Sequence, residues 1–283
     1  MPIKHLTVEE HQQVVDNLVK LTRSVDGVGI HPAGPEYTSL MVCFMLHNLT
    51  SADTLIRLRD SFSNEWFPAT VGYVIVRPMF ETDVTAHYIT RDPVKRARQY
   101  IDFEKVLNKQ EIDAYFKNRN SKDIQWRQAM EFMWENVWAA KEASINEQYE
   151  NVRSRFETVK NGGKVISYHN WAGKSIRQIA KEVDHEEAYN IFYAELSSYT
   201  HVDVRLANRF LRLRPNELSW SQRPNAFDVG NVFRHAASFL TCFLELFAEQ
   251  FHVWSKEDVQ NCWNVKGVNK SLKMDAAKGR RAP

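Results

Sequence analysis

Apolar residues recur along most of the chain with the period of an amphipathic α-helix. Thr7 and Glu10 have the spacing of a capping box, and apolar residues follow at helical spacing over residues 14–21. Asp92 followed by Pro93 predicts a helix start, since proline is favoured in the first helical turn. Runs of β-branched residues are short and lie within longer helical periods. The pattern therefore predicts an all-α protein folded as a multi-helix bundle.

Residues that interrupt the helical pattern of apolar positions predict where the helices begin and end. Pro78 falls inside a helical stretch and predicts either a kink or a helix start just after Arg77. Residues 161–163, Asn-Gly-Gly, are expected to end the longest helix. The predicted helices cover residues 7–21, 40–49, 51–60, 69–90, 93–106, 121–160, 175–183, 186–199 and 227–251, with a short helix after Ser255.

The chain is expected to form a single helical domain over residues 1–265, and it shows no internal repeat. Residues 1–64 supply the N-terminal helices of this domain, and residues 65–251 supply its core bundle. Residues 266–283 are basic and rich in small side chains, which predicts a mobile tail.

Charge and cysteine content narrow the function classes. The 283 residues carry a formal net charge of +2, so the overall field does not favour general nucleic-acid binding and any anion site must be local. Cys43, Cys242 and Cys262 match neither a disulfide framework nor a zinc knuckle. The N-terminus lacks the apolar stretch of a secretory signal, and the most apolar segment, 239–248, is too short to span a bilayer. We therefore expect a cytoplasmic protein without a membrane partner.

A polar face is predicted on the helix that contains Arg77. Arg77 and Glu81 are four residues apart, and Tyr88 lies close to the same face. Asp83 and His87 form a second pair at the same spacing. These residues predict a site that combines a cation, a carboxylate and a phenol, and an ordinary intrahelical ion pair is the alternative.

A second polar cluster is predicted where a helix ends near residue 200. His201 titrates near neutral pH and can transfer a proton, and Ser198 is placed to orient it. Arg205 follows and brings an arginine near the histidine. Alternatively, His201 caps the helix and interacts with the negative end of its dipole.

No metal ion or cofactor is assigned from the sequence. Glu-x-x-His steps occur at Glu182 to His185 and at Glu249 to His252, the spacing with which di-metal bundles bind iron or manganese. Chance alone produces roughly one such step in a chain of this composition, so a di-metal carboxylate bundle is only a third hypothesis. Phosphate-binding glycine loops, paired Cys-x-x-Cys ligands and a nucleophile elbow are absent from the sequence.

Three separate elements give the chain a family resemblance: Arg-x-x-x-Glu at 77–81, Trp-x-Gly-x-Ser-Ile-Arg at 171–177, and a tyrosine-rich helix ending Ser-x-x-His at 193–201. Over residues 65–250 they resemble an uncharacterised bacterial all-helical family, a domain of unknown function. A more distant similarity is to the HEPN superfamily, many members of which are metal-independent ribonucleases of toxin and phage-defence systems. The usual HEPN signature, an arginine followed four to six residues later by histidine, is absent. The similarity therefore supports a HEPN-like architecture more than a chemistry.

The first function that these residues support is cleavage of RNA without a metal ion. His201 would transfer the proton, Arg77 or Arg205 would stabilise charge on the phosphate, and Glu81 would orient the arginine. The expected catalytic residues are Arg77, Glu81, Ser198 and His201, and the expected substrate-binding residues are Tyr88, Arg177 and Arg205.

The second function is that of a non-enzymatic helical binding or assembly module. The same polar residues would then form a network that fixes helix packing, and apolar stripes would contact a protein partner or a second copy in a homodimer. One stripe contains Trp134 and Trp138, and another follows the phenylalanines of 239–251. The side chains expected to be buried, within the chain or in a homodimer, are this second stripe with Trp126, Met130, Met133 and Val137.

Overall fold

A computed structural model describes residues 6–27, 34–64, 66–159, 165–167, 170–200, 211–214, 217–220 and 226–265. Most of these residues are helical, and the predicted all-α multi-helix bundle is confirmed. The α-helices are α1 (Val8–Arg23), α2 (Pro35–Ser61), α3 (Ala69–Thr90), α4 (Pro93–Asn118), α5 (Ile124–Met133), α6 (Glu142–Val152), α7 (Ile176–Glu182), α8 (Glu186–Ala188), α9 (Ala194–Thr200), α10 (Ala226–Phe251) and α11 (Lys256–Asn261). Two π-helical segments, Trp134–Trp138 and Tyr189–Tyr193, and the 3₁₀ turn Arg153–Arg155 lie between them.

Two short antiparallel hairpins accompany the helices. β1 (Glu157–Val159) pairs with β2 (Val165–Ser167), and β3 (Leu211–Arg214) pairs with β4 (Glu217–Trp220). The single long helix predicted over 121–160 is therefore wrong. That segment is divided by the π-helical residues and ends in a strand, because its β-branched end pairs across the Asn-Gly-Gly sequence with another β-branched run.

Side-chain caps form at the starts of α1 and α11, whereas Asp92 makes no side-chain cap bond before α4. The backbone N–H of Glu10 donates to Thr7 Oγ1 at 3.2 Å, and Thr7 N–H donates to Glu10 Oε2 at 2.8 Å. Ser255 makes the same reciprocal bonds with Asp258 before α11. Each bond satisfies an N–H group that has no partner within the helix, which fixes where α1 and α11 begin.

Residues 40–60 form one helix, although two were predicted. Ser51 does not cap a new helix, because α2 continues through it to Ser61. The hydroxyls of Thr50 and Thr54 instead donate to carbonyls one turn earlier, at 2.8 Å each. By length and composition α2 is apolar enough to cross a membrane, with a mean hydropathy of 1.2 over an 18-residue window that is 39% buried. Core helices pass the same test, and α2 packs against α1, α3 and α10.

The chain divides into two compact units, with one boundary between α3 and α4 and the other within α7. Unit 1 contains Met1–Arg91 and Ile179–Pro283, and unit 2 contains Asp92–Gln178. The expectation of one domain over 1–265 stays a prediction, and the tail at 266–283 lies outside the described residues.

In unit 1 the core forms where α3 and α10 pack together. A Cβ added at Gly72 of α3 would lie 2.8 Å from Val232 Cγ1 of α10, so glycine is needed for this close approach. α3 continues through Pro78 from Ala69, so the helix start predicted after Arg77 is wrong. The predicted burial of the phenylalanine stripe within α10 is confirmed, and its members are Phe239, Phe243, Phe247 and Phe251.

In unit 2 the helix α4 packs against α5 and α6 over two apolar clusters. Trp138 is buried in one of them, and Met130 and Met133 are partly buried against it. Trp126 is 49% exposed and Val137 is exposed as well, so neither is buried within the chain, and their burial in a homodimer stays a prediction. None of the residues of α5 is fully buried within the chain.

Candidate functional site

The Arg77 site is a closed ring of hydrogen bonds between two segments of unit 1. Arg77 Nε donates to Glu81 Oε1 at 2.9 Å, and the Arg77 guanidinium donates to the Tyr193 hydroxyl, also at 2.9 Å. The Tyr193 hydroxyl in turn donates to Glu81 Oε1 at 3.0 Å. The predicted pair of Arg77 and Glu81 is therefore formed, and a tyrosine completes it.

Aromatic contacts hold Tyr193 in this position. Its ring lies 4.7 Å from the ring of Tyr189 in a stacked arrangement and 5.9 Å from that of Phe80. The Arg77 guanidinium carbon lies 5.1 Å from the centre of the Tyr193 ring, which adds a cation–π contact. Tyr189 and Tyr193 belong to a π-helical segment, a distortion that often accompanies functional sites.

Burial and hydrogen bonding keep Arg77 and Tyr193 in fixed protonation states. Partial burial alone would lower the pKa of Arg77, but the bonds to Glu81 and Tyr193 raise it above its usual value. Burial, together with the charge of Glu81, raises the pKa of the Tyr193 hydroxyl. At neutral pH the arginine is charged and the phenol keeps its proton, so both groups act as donors.

The segment from His185 to Tyr199 runs antiparallel to α3 and contacts it along its length. His185 faces Asp83, Tyr193 bonds Arg77, and Tyr199 stacks on Tyr73 with ring centres 4.0 Å apart. The helix that carries Arg77 and the helix that carries Ser198 are therefore neighbours, as predicted.

The other predicted residues do not join the Arg77 ring in the described part of the chain. The Ser198 hydroxyl is buried and donates to the carbonyl of Glu195 at 2.7 Å, so it serves its own helix. Tyr88 is buried on α3, about 16 Å along the helix axis from Arg77. Arg177 is exposed on α7 and belongs to unit 2. His201 and Arg205 lie outside the described residues.

The Trp-x-Gly-x-Ser-Ile-Arg segment builds the start of α7. Gly173 has φ +63°, a conformation that favours glycine, and the Asn170 side chain bonds the backbone on both sides of it. Ser175 Oγ accepts from the backbone N–H of Gln178 at 3.3 Å, as the predicted N-cap. Trp171 packs on Tyr100 with ring centres 5.1 Å apart. The segment therefore has a structural role in unit 2.

A second polar cluster in unit 1 contains Asp83, His87 and His185, and each residue brings one potential metal-ligand atom within 4.8 Å of the others. His87 Nδ1 lies 3.2 Å from Asp83 Oδ1, and His185 Nε2 lies 3.5 Å from Asp83 Oδ2. The sequence showed Asp83 and His87 as a pair and His185 as part of a Glu-x-x-His step, but no local signal joined them. Among the described residues, Glu182, Glu249 and His252 do not enter this cluster.

Burial and the interactions between Asp83 and the imidazoles change the pKa values of this cluster in opposite directions. Burial, the largest effect, raises the pKa of Asp83, but the neighbouring imidazoles of His185 and His87 outweigh it and leave the pKa below its usual value. The interaction with Asp83 raises the pKa of His185 against the effect of burial. The carboxylate is therefore ionised although it is completely enclosed.

A family profile described as a family of unknown function (DUF5677) matches residues 40–218. No curated protein and no solved structure matches the chain. The matched range contains the Arg77 ring and the Asp83 cluster, and the predicted resemblance to an uncharacterised family is confirmed.

Proposed function

The chain belongs to the family of unknown function DUF5677, and within it we propose that the Arg77 site serves metal-independent cleavage of RNA. The observation that carries this proposal is the guanidinium of Arg77, which Glu81 and Tyr193 hold in one orientation by bonds of 2.9 Å. A guanidinium fixed in advance can stabilise charge on a phosphate without reorganising during the reaction.

The position of the arginine suits this role. Its side chain is 18% exposed, so it is largely shielded from bulk water and still reachable from solvent. Interactions between charges are stronger in such surroundings than in water. A phosphate would approach the guanidinium from the solvent, next to the partly exposed Glu81.

RNA carries its own nucleophile, so a protein needs only to move protons and stabilise charge. In the proposed reaction the ribose 2′-oxygen attacks phosphorus as it loses its proton, and the 5′-oxygen leaves as it gains one. His201, which directly follows α9, is the proton-transfer residue of this proposal. The Ser198 hydroxyl donates to the Glu195 carbonyl, so it would orient His201 only by accepting a hydrogen bond from it.

The setting proposed for this activity is the cytoplasm, in a toxin or phage-defence role, with the protein acting as a homodimer. This setting rests on the HEPN resemblance expected from the sequence, and the three cysteines are free, which fits a reducing compartment. The net charge of +2 fits an enzyme that binds a short stretch of RNA at a local site.

A helical binding or assembly module is the competing function. The observation that favours it is the closure of the ring, since Arg77, Glu81 and Tyr193 bond one another as a packing network would. In that case the loss of any ring member lowers stability and leaves no catalytic defect.

Cleavage of a mixed RNA pool in excess chelator tests the proposal. We expect His201→Ala to lose activity by about 100-fold or more and Arg77→Ala by about 100- to 1000-fold, with both variants folded by circular dichroism. Arg23→Ala is the matched control, because Arg23 is an exposed arginine that pairs with Asp53 and takes no part in the Arg77 ring. An inactive wild type together with destabilised ring variants would favour the module.

A further inference from the structure

Asp83 is a buried carboxylate without a regular hydrogen bond. The residue is 1% exposed, and both carboxylate oxygens lie out of contact with solvent and without a hydrogen-bond partner among the described residues. His87 Nδ1 lies 3.2 Å from Oδ1 but donates instead to the backbone carbonyl of Asp83 at 2.9 Å, and His185 Nε2 lies 3.5 Å from Oδ2, beyond the usual hydrogen-bond range. A buried carboxylate normally has such partners or binds a metal ion, because an isolated buried charge is costly.

His185 is held in the tautomer that a metal ligand requires. Its Nδ1 lies 2.7 Å from the carbonyl oxygen of Val183, to which it donates its proton. In the neutral ring this leaves a lone pair on Nε2, the nitrogen that faces Asp83 Oδ2. Histidine ligands of metals commonly make this kind of bond through their other nitrogen.

A strained turn sets the direction of His185. Asp184 has φ +64°, a left-handed conformation that residues other than glycine adopt less readily. His185 N–H bonds the carbonyl of Ala180 at 2.8 Å and Asp184 N–H bonds that of Lys181, the pattern that ends a helix sharply. Strain of this kind is often found where a side chain must be aimed at a functional site.

We propose that Asp83, His87 and His185 bind one divalent transition-metal ion, of which Zn²⁺ is the simplest representative. One carboxylate oxygen and two imidazole nitrogens suit zinc or iron and disfavour magnesium and calcium, which prefer ligands that are all oxygen. Ligand atoms at about 2.1 Å from zinc are about 3.4 Å apart at a tetrahedral angle. The ligand atoms lie within 4.8 Å of one another, so the side chains must move closer to bind an ion. His87 must either release Nδ1 from the Asp83 carbonyl or turn its Nε2 towards the ion.

Three protein ligands leave at least one coordination position open. His87 and His185 are 24% and 20% exposed, so water has access to the nitrogen side of the site, whereas Asp83 closes the buried side. Sites with three protein ligands and a bound water are typical of catalytic zinc. The site is separate from the Arg77 ring, since the two groups occupy different faces of α3.

Titration calorimetry of the full chain tests the site, after chelator treatment and dialysis. Zinc chloride is expected to bind with one ion per chain and a Kd of about 1 µM or tighter. The thermal midpoint should rise as free zinc exceeds the Kd, because the ion binds only the folded chain. His87→Gln and His185→Gln should each weaken binding by about 10-fold or more.

His47→Gln is the matched control, since His47 is exposed on α2 and should leave zinc binding unchanged. Asp83→Asn is expected to abolish binding, and the two glutamine variants keep the test valid should that variant fail to fold. Equal zinc binding by wild type, His87→Gln and His185→Gln would overturn the proposal, as would the absence of binding by a folded wild type. RNA cleavage in excess chelator is measured separately, so the failure of one proposal does not decide the other.

Discussion

The guanidinium of Arg77 and the hydroxyl of Tyr193 are 116 residues apart in the sequence and 2.9 Å apart in the structure. This bond joins α3 to the π-helical segment that precedes α9. Because Tyr193 also donates to Glu81, one hydroxyl connects both members of the predicted ion pair. The contact explains why Tyr193 belongs to the site although its sequence position relative to Arg77 gives no sign of it.

Removal of this hydroxyl should lower the stability of unit 1. Tyr193→Phe keeps the ring contacts and deletes the bonds to Arg77 and Glu81, so we expect a loss of about 1–2 kcal/mol in the free energy of unfolding. Tyr189→Phe is the control, because Tyr189 stacks on Tyr193 but does not bond the guanidinium. Urea unfolding measures both variants, and equal stabilities would show that the ring does not form in solution.

Alanine substitutions at two glycines, Gly72 and Gly230, should change stability differently, because the space beside each position differs. Gly72→Ala places a methyl group 2.8 Å from Val232 Cγ1 and should cost about 1–3 kcal/mol. Gly230→Ala brings its methyl to 3.2 Å from Val8 Cγ2, a contact that a shift of a few tenths of an ångström relieves, and the helical gain of about 0.5–1 kcal/mol should offset it. Thermal unfolding of both variants checks this order, and a stabilised Gly72→Ala would contradict the packing described.

The phenylalanines of α10 should contribute far more to stability than an equally large exposed phenylalanine. Phe247 is fully buried between Phe243 and Phe251, so Phe247→Ala should cost about 3–5 kcal/mol. Phe132→Ala, at an exposed position of α5, should change stability by less than about 0.5 kcal/mol. Chemical denaturation distinguishes the two, and comparable losses would mean that Phe132 is covered in solution.

Local patterns predicted those parts of the fold that depend on residues near one another in sequence. The capping box of Thr7 and Glu10 and the start of α4 at Pro93 are of this kind. The elements that were predicted wrongly depend on residues that are farther apart in sequence. β1 was assigned to a helix because its strand partner lies beyond Asn161 and Gly162, although an Asn-Gly pair between β-branched residues is itself a hairpin signal.

The candidate sites show the same limit more sharply. Arg77 and Glu81 were predicted because they are one helical turn apart, and the structure brings them together. His185 could not be assigned to Asp83, because its direction depends on the Asp184 turn and on the packing of two distant segments. Sequence spacing predicts pairs within one helix, whereas contacts between helices depend on the tertiary fold.

His235 should make the protein less stable in mild acid. Burial, with smaller effects from Arg234 and His11, lowers the pKa of His235 to about 3, and its Nε2 has no hydrogen-bond partner in the part of the chain that the structure describes. The unfolded chain binds a proton at this residue below about pH 6.5, whereas the folded chain does not. Stability contributed by the neutral ring is therefore present above pH 6.5 and lost as pH falls, by up to about 1.4 kcal/mol per pH unit between pH 6 and pH 4.

The variant His235→Leu should flatten this dependence, because leucine fills the space beside Phe192 and Phe239 without titrating. Part of the slope should remain, since burial also lowers the pKa of His11. His47→Leu, at an exposed position, should keep the wild-type slope. Free energies of unfolding from urea titrations at pH 4.5, 5.5, 6.5 and 7.5, chosen as about one pH unit apart to resolve the slope, test the assignment. A wild-type slope retained by His235→Leu would place the acid sensitivity elsewhere in the chain.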